Sequence, residues 1–118
     1  AGRIINPQIY EQQVQGAIAQ GIGFAMSESV MLEKGRLLNP DFTDYIIFGA
    51  LDIPDISVIP IETIENTGPF GMKGLGQVSI DGPLPAIANA ISDACGININ
   101  SAPITSEAMM DSLLKETK

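Results

Sequence analysis

Asn6-Pro7-Gln8-Ile9-Tyr10-Glu11-Gln12-Gln13-Val14-Gln15-Gly16-Ala17-Ile18-Ala19-Gln20-Gly21-Ile22-Gly23-Phe24-Ala25-Met26 is the stretch on which the fold turns. Asn6-Pro7 reads as a helix cap followed by proline at the first helical position, where its missing N–H leaves no bond unmade. Val14, Ile18, Ile22 and Met26 then recur at spacing four, one apolar stripe of a helix. The pattern predicts a helix continuing to about Leu32 and stopping before Lys34-Gly35. Gly16, Gly21 and Gly23 lie inside it, each costing about 1 kcal/mol against alanine in a helix interior. A free surface helix would not carry three such positions, so other groups are expected to approach its backbone closely.

Working outward, Tyr45 to Ala50 and Ile56 to Ile64 are rich in β-branched residues and read as strands. The second is apolar on nearly every residue apart from Pro60 and Glu62, which predicts burial on both faces, with Pro60 at an edge or bulge. Gly68-Pro69-Phe70-Gly71-Met72-Lys73-Gly74-Leu75-Gly76-Gln77 is a glycine-dense loop. Gly82-Pro83 opens a second helix with Leu84, Ile87, Ile91 and Ala94 on its inner side, closed by Gly96. A third helix begins at Thr105 or Ser106, with Glu107 early and Lys115 late, as the macrodipole favours. The expected fold is α+β: a long glycine-containing helix, a few strands and two shorter helices in the second half. All 118 residues read as one domain, without repeat or low-complexity tract.

Composition narrows the function. The net charge of −8 argues against nucleic acid or an anionic membrane surface as partner. No apolar run approaches the roughly 20 residues of a spanning helix. The opening residues show no basic region followed by an apolar run, so no signal peptide is expected, and with a single cysteine a cytoplasmic setting is the default. There is no histidine, which removes imidazole as ligand, general base and pH switch. Chemistry here would use carboxylates, amides, backbone groups, or a cofactor that brings its own metal.

Two segments could carry it. Gln13, Gly16, Gln20 and Gly23 fall on one helix face, alternating long amides with bare backbone, which suits the edge of a heterocycle or a phosphate ester. A seam where another helix crosses would show the same pattern. The Gly68–Gln77 loop allows positive φ values and free N–H groups, yet it has neither the order of a P-loop nor the spacing of a dinucleotide fingerprint. A tight connector is its other reading. Lys73 reads as a solvated charge, Cys95 as a buried small hydrophobe, and Asp52, Asp55 and Asp81 as turn and cap residues.

Gly2-Arg3-Ile4-Ile5-Asn6-Pro7 with Gln13-Val14-Gln15-Gly16-Ala17 and Gln20-Gly21-Ile22-Gly23 resembles the pterin-contacting stretch of the xanthine dehydrogenase and aldehyde oxidase family, the molybdenum hydroxylases. Gly68-Pro69-Phe70-Gly71-x-Lys73-Gly74-x-Gly76 is similar to the loop bearing that family's active-site acid, and Pro85 to Ile91 with Pro103-x-Thr105 resembles its ending. The succession covers nearly the whole chain in order. It implies the carboxy-terminal part of a molybdopterin-binding subunit that hydroxylates an aldehyde or aza-heterocycle with water-derived oxygen. It also implies a molybdenum–molybdopterin cofactor, with the pterin plain or as its cytosine dinucleotide. The remainder of that subunit and iron–sulfur (2Fe-2S) and flavin (FAD) partners would complete the enzyme. Carried over by position, Gln13 would bond the pterin, and Gly74, Leu75 and Gly76 would line the wall beside the metal. The family places its catalytic glutamate where this chain has Gln77. An amide cannot accept a proton at neutral pH, so the resemblance also allows a degenerate, non-catalytic module that binds pterin or another subunit.

Overall fold

A computed structural model describes residues 1–116. Helix α1 runs Pro7–Met26, and the Asn6 side chain accepts the Ile9 N–H at 3.0 Å, as the sequence led us to expect. It ends six residues short of Leu32 because Gly23 O takes the N–H groups of both Ser27 and Glu28, each at 2.9 Å, closing the last turn. A two-residue hairpin follows, β1 (Leu32–Glu33) antiparallel to β2 (Arg36–Leu37), turned by Lys34 and Gly35, both at positive φ. Buried Asn39 braces it, accepting from Met31 N and donating to Ser29 O.

The strands expected at Tyr45 to Ala50 and Ile56 to Ile64 do not form. Among the described residues, β1 and β2 make the one sheet. Residues 56–64 form no regular element; their backbone bonds with the Ala1 end of the chain, Thr63 N to Ala1 O and Ala1 N to Ile61 O, are too few for a ladder. Nor are they buried on both faces: Ile59, Ile61 and Ile64 are 85%, 73% and 73% exposed. β-branched composition favours a strand but could not supply neighbours to pair with it.

Helix α2 spans Pro83–Cys95 and closes on Gly96 at φ 69°, as its sequence signals require. Its inner residues Leu84, Ile87 and Ile91 are half-buried, whereas Ala94 and Cys95 are exposed. Cys95 is therefore no core hydrophobe: it is exposed on the last turn of α2. Helix α3, Ser106–Glu116, is capped by Thr105, whose Oγ1 accepts from Ala108 N at 3.2 Å.

Packing centres on α1. A side chain at Gly21 would lie 2.8 Å from Pro83 Cγ and 2.9 Å from Ile80 O, so this glycine lets the start of α2 close onto α1. At the far end Ile104 N donates to Ala25 O at 2.6 Å, and Ala25, Ile97 and Ile104 are buried together with Ala17. The core is small. The accessible surface is 8681 Å², against about 6,200 Å² for a compact monomer of 12.5 kDa. The radius of gyration is 18.1 Å, where about 13.5 Å would be usual for this length.

Gly21→Ala should destabilise the fold by about 1–3 kcal/mol through overpacking against Pro83. Gly16→Ala, whose new Cβ meets nothing within 4 Å, should be neutral or stabilise by up to about 1 kcal/mol. Urea midpoints of the full-length protein check both, and an unaffected Gly21→Ala midpoint would refute the close approach.

Candidate functional site

The glycine-dense loop lies beside the first half of α1, and one bond joins them: Gln13 Nε2 donates to Gly76 O at 2.8 Å. Two of the regions singled out in the sequence therefore meet in space. That bond uses one N–H of the amide and leaves its other N–H and Oε1 available. Gln13, Gly74, Gly76 and Gln77 are exposed and Leu75 is half-buried. Gly76 sits at φ 54°, which glycine adopts without strain, and its turn delivers Gln77 to the head of a single 3-10 turn, Val78–Ile80. There Ile80 N donates to Gln77 O at 3.0 Å. Ideal side chains at Gly16, Gly74 and Gly76 would meet no atom within 4 Å, so bare backbone faces open space on helix and loop alike. Gln15 is otherwise engaged, donating to Ile56 O at 3.1 Å.

Two hollows flank Lys73 to Leu75. One, about 220 Å³, is bounded by Arg3, Ile5, Tyr10, Gln13, Lys73 and Leu75. The other, about 450 Å³, is bounded by Tyr10, Val14, Ile59, Gly74, Leu75 and Val78. A larger apolar groove of about 760 Å³ runs between α1 and α2 past Ile18, Ile22, Phe48, Pro54, Pro83 and Ile87. None of Gln13, Gly74, Leu75, Gly76 or Gln77 lines it, so size alone does not mark the site.

Nothing in the sequence signals what holds the loop's other side. Arg3 N and Glu65 N both donate to Gly71 O, at 2.9 and 3.3 Å, and Thr63 donates to Ala1 O through its N–H at 2.7 Å and its hydroxyl at 2.9 Å. Lys73, expected to be a free solvated charge, donates from Nζ to Thr63 Oγ1 at 2.7 Å while remaining exposed. Glu65 Oε1 accepts the backbone N–H of Thr67 and then its hydroxyl, which with Lys73 nearby holds this carboxyl below the usual glutamate range. Asp52 is the turn residue expected, accepting Gly49 N at 2.8 Å, and Asp81 closes the Val78–Ile80 turn.

The donor set is amides and backbone, without imidazole. Among the described residues no cluster of three or more cysteine, aspartate or glutamate side chains could hold a metal ion, and no helix is long and apolar enough to cross a membrane. A metal here would arrive with ligands of its own.

Comparison with known proteins agrees. Residues 1–54 match the family model of the molybdopterin cofactor-binding domain. The chain is 32% identical over 113 residues to one subunit of a probable xanthine dehydrogenase of Bacillus subtilis, covering 96% of this chain and 15% of that protein. It is 35% identical over 116 residues to the aldehyde oxidoreductase molybdenum-binding subunit of Escherichia coli K12, covering 96% and 16%. The crystal structure of quinoline 2-oxidoreductase from Pseudomonas putida 86 superposes with a TM-score of 0.89 at 34% identity, over 97% of this chain and 15% of that one. The chain belongs to the molybdopterin-binding subunits of the xanthine dehydrogenase and aldehyde oxidase family. It spans about one seventh of the length of the relatives it matches.

Because its folded pKa is lowered, Glu65 contributes stability that is present above its unfolded pKa and lost as pH falls through the folded value. A carboxyl NMR titration should give Glu65 a midpoint below the usual range, and Thr67→Val should move it upward. A midpoint indifferent to Thr67 would show that the hydroxyl bond is not formed.

Proposed function

We propose that this chain is the carboxy-terminal, cofactor-lining portion of a molybdenum hydroxylase acting on an aldehyde or aza-heterocycle. The observation that carries the proposal is the Gln13–Gly76 bond, which brings helix amide and loop glycines to one place with backbone uncovered on both sides. A flat heterocycle with donors and acceptors on its edge fits such a surface, since a Cβ at Gly16, Gly74 or Gly76 would fill the space it needs. Gln13 would bond the pterin through its remaining N–H and Oε1, and Gly74, Leu75 and Gly76 would form the wall beside the metal. When bound, the molybdenum group supplies two-electron oxidation of the substrate carbon, with water as the oxygen source. This chain's own residues bind, orient and keep that face free of side chains.

The rest of the subunit, with 2Fe-2S and FAD partners to carry electrons away, completes the enzyme in this reading. The excess of accessible surface supports it: Phe42, Leu51 and Phe70 are 84%, 100% and 80% exposed, a state that favours covering by further protein. The relatives' names support it too, since both describe one subunit of a larger enzyme. The setting expected is cytoplasmic.

A second reading rests on Gln77. A glutamate there would take a proton from the reacting group; the amide cannot, and loss of a general base typically costs about 10²–10⁴ in rate. The chain would then belong to a degenerate paralogue that keeps pterin and scaffold.

The test uses the complete assembly expressed with its partner subunits. Molybdenum and pterin should be present, the native enzyme should oxidise an aldehyde or purine, and Gln77→Glu should raise kcat by about 10²–10⁴. Activity in Gln77→Glu with none in the native enzyme selects the degenerate reading. A folded, intact complex free of molybdenum and pterin overturns both.

Gly16→Ala separates ligand from packing. Since it leaves the fold's stability intact, it should still lower pterin content several-fold in the assembled enzyme, measured by metal analysis and pterin fluorescence. Full retention would show that the Gly16 face is covered by something else.

A further inference from the structure

Gly2 is buried, and its Cα faces the loop edge-on. A side chain there would overlap the backbone nitrogen of Lys73 and lie 2.7 Å from Met72 C and 2.9 Å from Gly71 O. All three are main-chain atoms, which cannot swing aside as a flexible side chain can. On either side of Gly2 the contact is sealed by hydrogen bonds, from Arg3 N to Gly71 O and from Thr63 to Ala1 O.

We propose that Gly2 is a positioning residue for the Gly74–Gln77 segment, through the flush seating of the Ala1–Arg3 backbone on Gly71–Lys73. Between that seat and the Gln13–Gly76 bond lie only Gly74 and Leu75. Gly74 and Gly76 have nothing within 4 Å on their Cβ side, and glycine has the widest conformational freedom of any residue. The segment therefore has little stiffness of its own, and the Gly2 seat, the Gln13 bond and the Val78 N–Leu75 O bond at 3.4 Å set where it stands. Of these, α1 fixes Gly76 through a side chain, whereas Gly2 fixes Lys73 by direct backbone contact. Relieving the overlap of an added Cβ moves Lys73, and Gly74 to Gln77 follow. Displacements of about 1 Å at a reacting site cost on the order of 10²-fold in rate. Gly2 acts only through the loop. Its consequence for chemistry rests on the reading that the loop faces the pterin; its effect on the loop does not.

The experiment compares Gly2→Ala, Thr63→Val and the controls Lys73→Met and Gly82→Ala in the complete enzyme, prepared both with cofactor and from a host unable to make pterin. Gly82 is chosen because a Cβ there meets nothing within 4 Å. In the pterin-free assembly, hydrogen exchange at the amides of 72–76 should rise at least tenfold in Gly2→Ala, with α1 and α2 within twofold of native. Thr63→Val removes the hydroxyl bond to Ala1 O and the one from Lys73 Nζ, and it should raise exchange at the same amides roughly threefold to tenfold above Lys73→Met, which removes the second bond alone. In the loaded enzyme Gly2→Ala should alter the electron paramagnetic resonance signature of the bound molybdenum, while Gly82→Ala leaves it native.

Unchanged exchange at 72–76 in Gly2→Ala overturns the proposal, and so does an equal rise across α1 and α2, which would make Gly2 a general packing residue. Should Gly2→Ala not assemble, exchange at 72–76 in Thr63→Val no higher than in Lys73→Met overturns it instead. A native complex lacking molybdenum and pterin defeats the cofactor reading alone, because exchange in the pterin-free assembly still decides whether Gly2 sets the loop.

Discussion

The hydrogen bond from Gln13 to Gly76 O is the point at which α1 and the glycine-dense loop are joined. It depends on α1 being straight and correctly phased where Gln13 leaves it, which traces back to the Asn6 cap and Pro7 at the first turn. It also depends on Gly76 turning at positive φ so that its carbonyl faces the helix. Without the bond, Gly74 to Gln77 would be held only at Lys73 and by the turn that follows, where Val78 N donates to Leu75 O at 3.4 Å and Ile80 N to Gln77 O at 3.0 Å, and the two glycines would widen its conformational range. A single amide thus converts a flexible connector into a surface with a fixed shape.

The glycines divide into two groups with different physical reasons. Gly2, Gly21 and Gly68 each face atoms that a Cβ would strike, among them backbone of Lys73, Ile80 and Met72. They are explained within the chain. Gly16, Gly35, Gly74, Gly76, Gly82 and Gly96 face open space; positive φ explains Gly35, Gly76 and Gly96, whereas Gly16 carries the helix penalty with no atom within 4 Å of its Cβ position. Of the second group, Gly16 and Gly74 lie within three residues of the partners in the Gln13–Gly76 bond. Conformational cost left uncompensated within a chain points to what binds outside it, and under the proposed function that is the pterin.

Much of this was legible in the sequence. The caps of α1 and α2, the glycine at the end of α2 and the start of α3 followed from local chemistry, and the structure has them. The resemblance carried by Gln13-Val14-Gln15-Gly16 and the Gly68–Gln77 loop led to the family. The failures lie where local pattern has no access to neighbours. Ile56 to Ile64 has the composition of a buried strand, yet Ile59 and Ile61 face solvent, because among the described residues no strand lies alongside to cover them. Cys95 departs from expectation for the same reason, since burial depends on what packs against the end of α2. The Ala1–Arg3 seat on Gly71–Lys73 was invisible because it is made by backbone groups some seventy residues apart, which leave no spacing signature.

Gln77 and glutamate have nearly the same length and volume, and either can reach the same hydrogen-bond partners from the head of the Val78–Ile80 turn. They differ in that a carboxylate can take a proton and carries charge, whereas the amide offers a donor and stays neutral. Under the proposed function an amide in place of a carboxylate would leave the shape of the wall intact and remove one chemical capacity. With a net charge of −8 and no histidine, the chain offers no imidazole to take over that role. Any replacement base would have to be a carboxylate brought to the same place. Within this chain Asp81 is the carboxylate nearest in sequence, but it closes the far end of the turn that Gln77 opens. Under the proposed function, binding and proton transfer are separable at this position, and an amide would retain only the first.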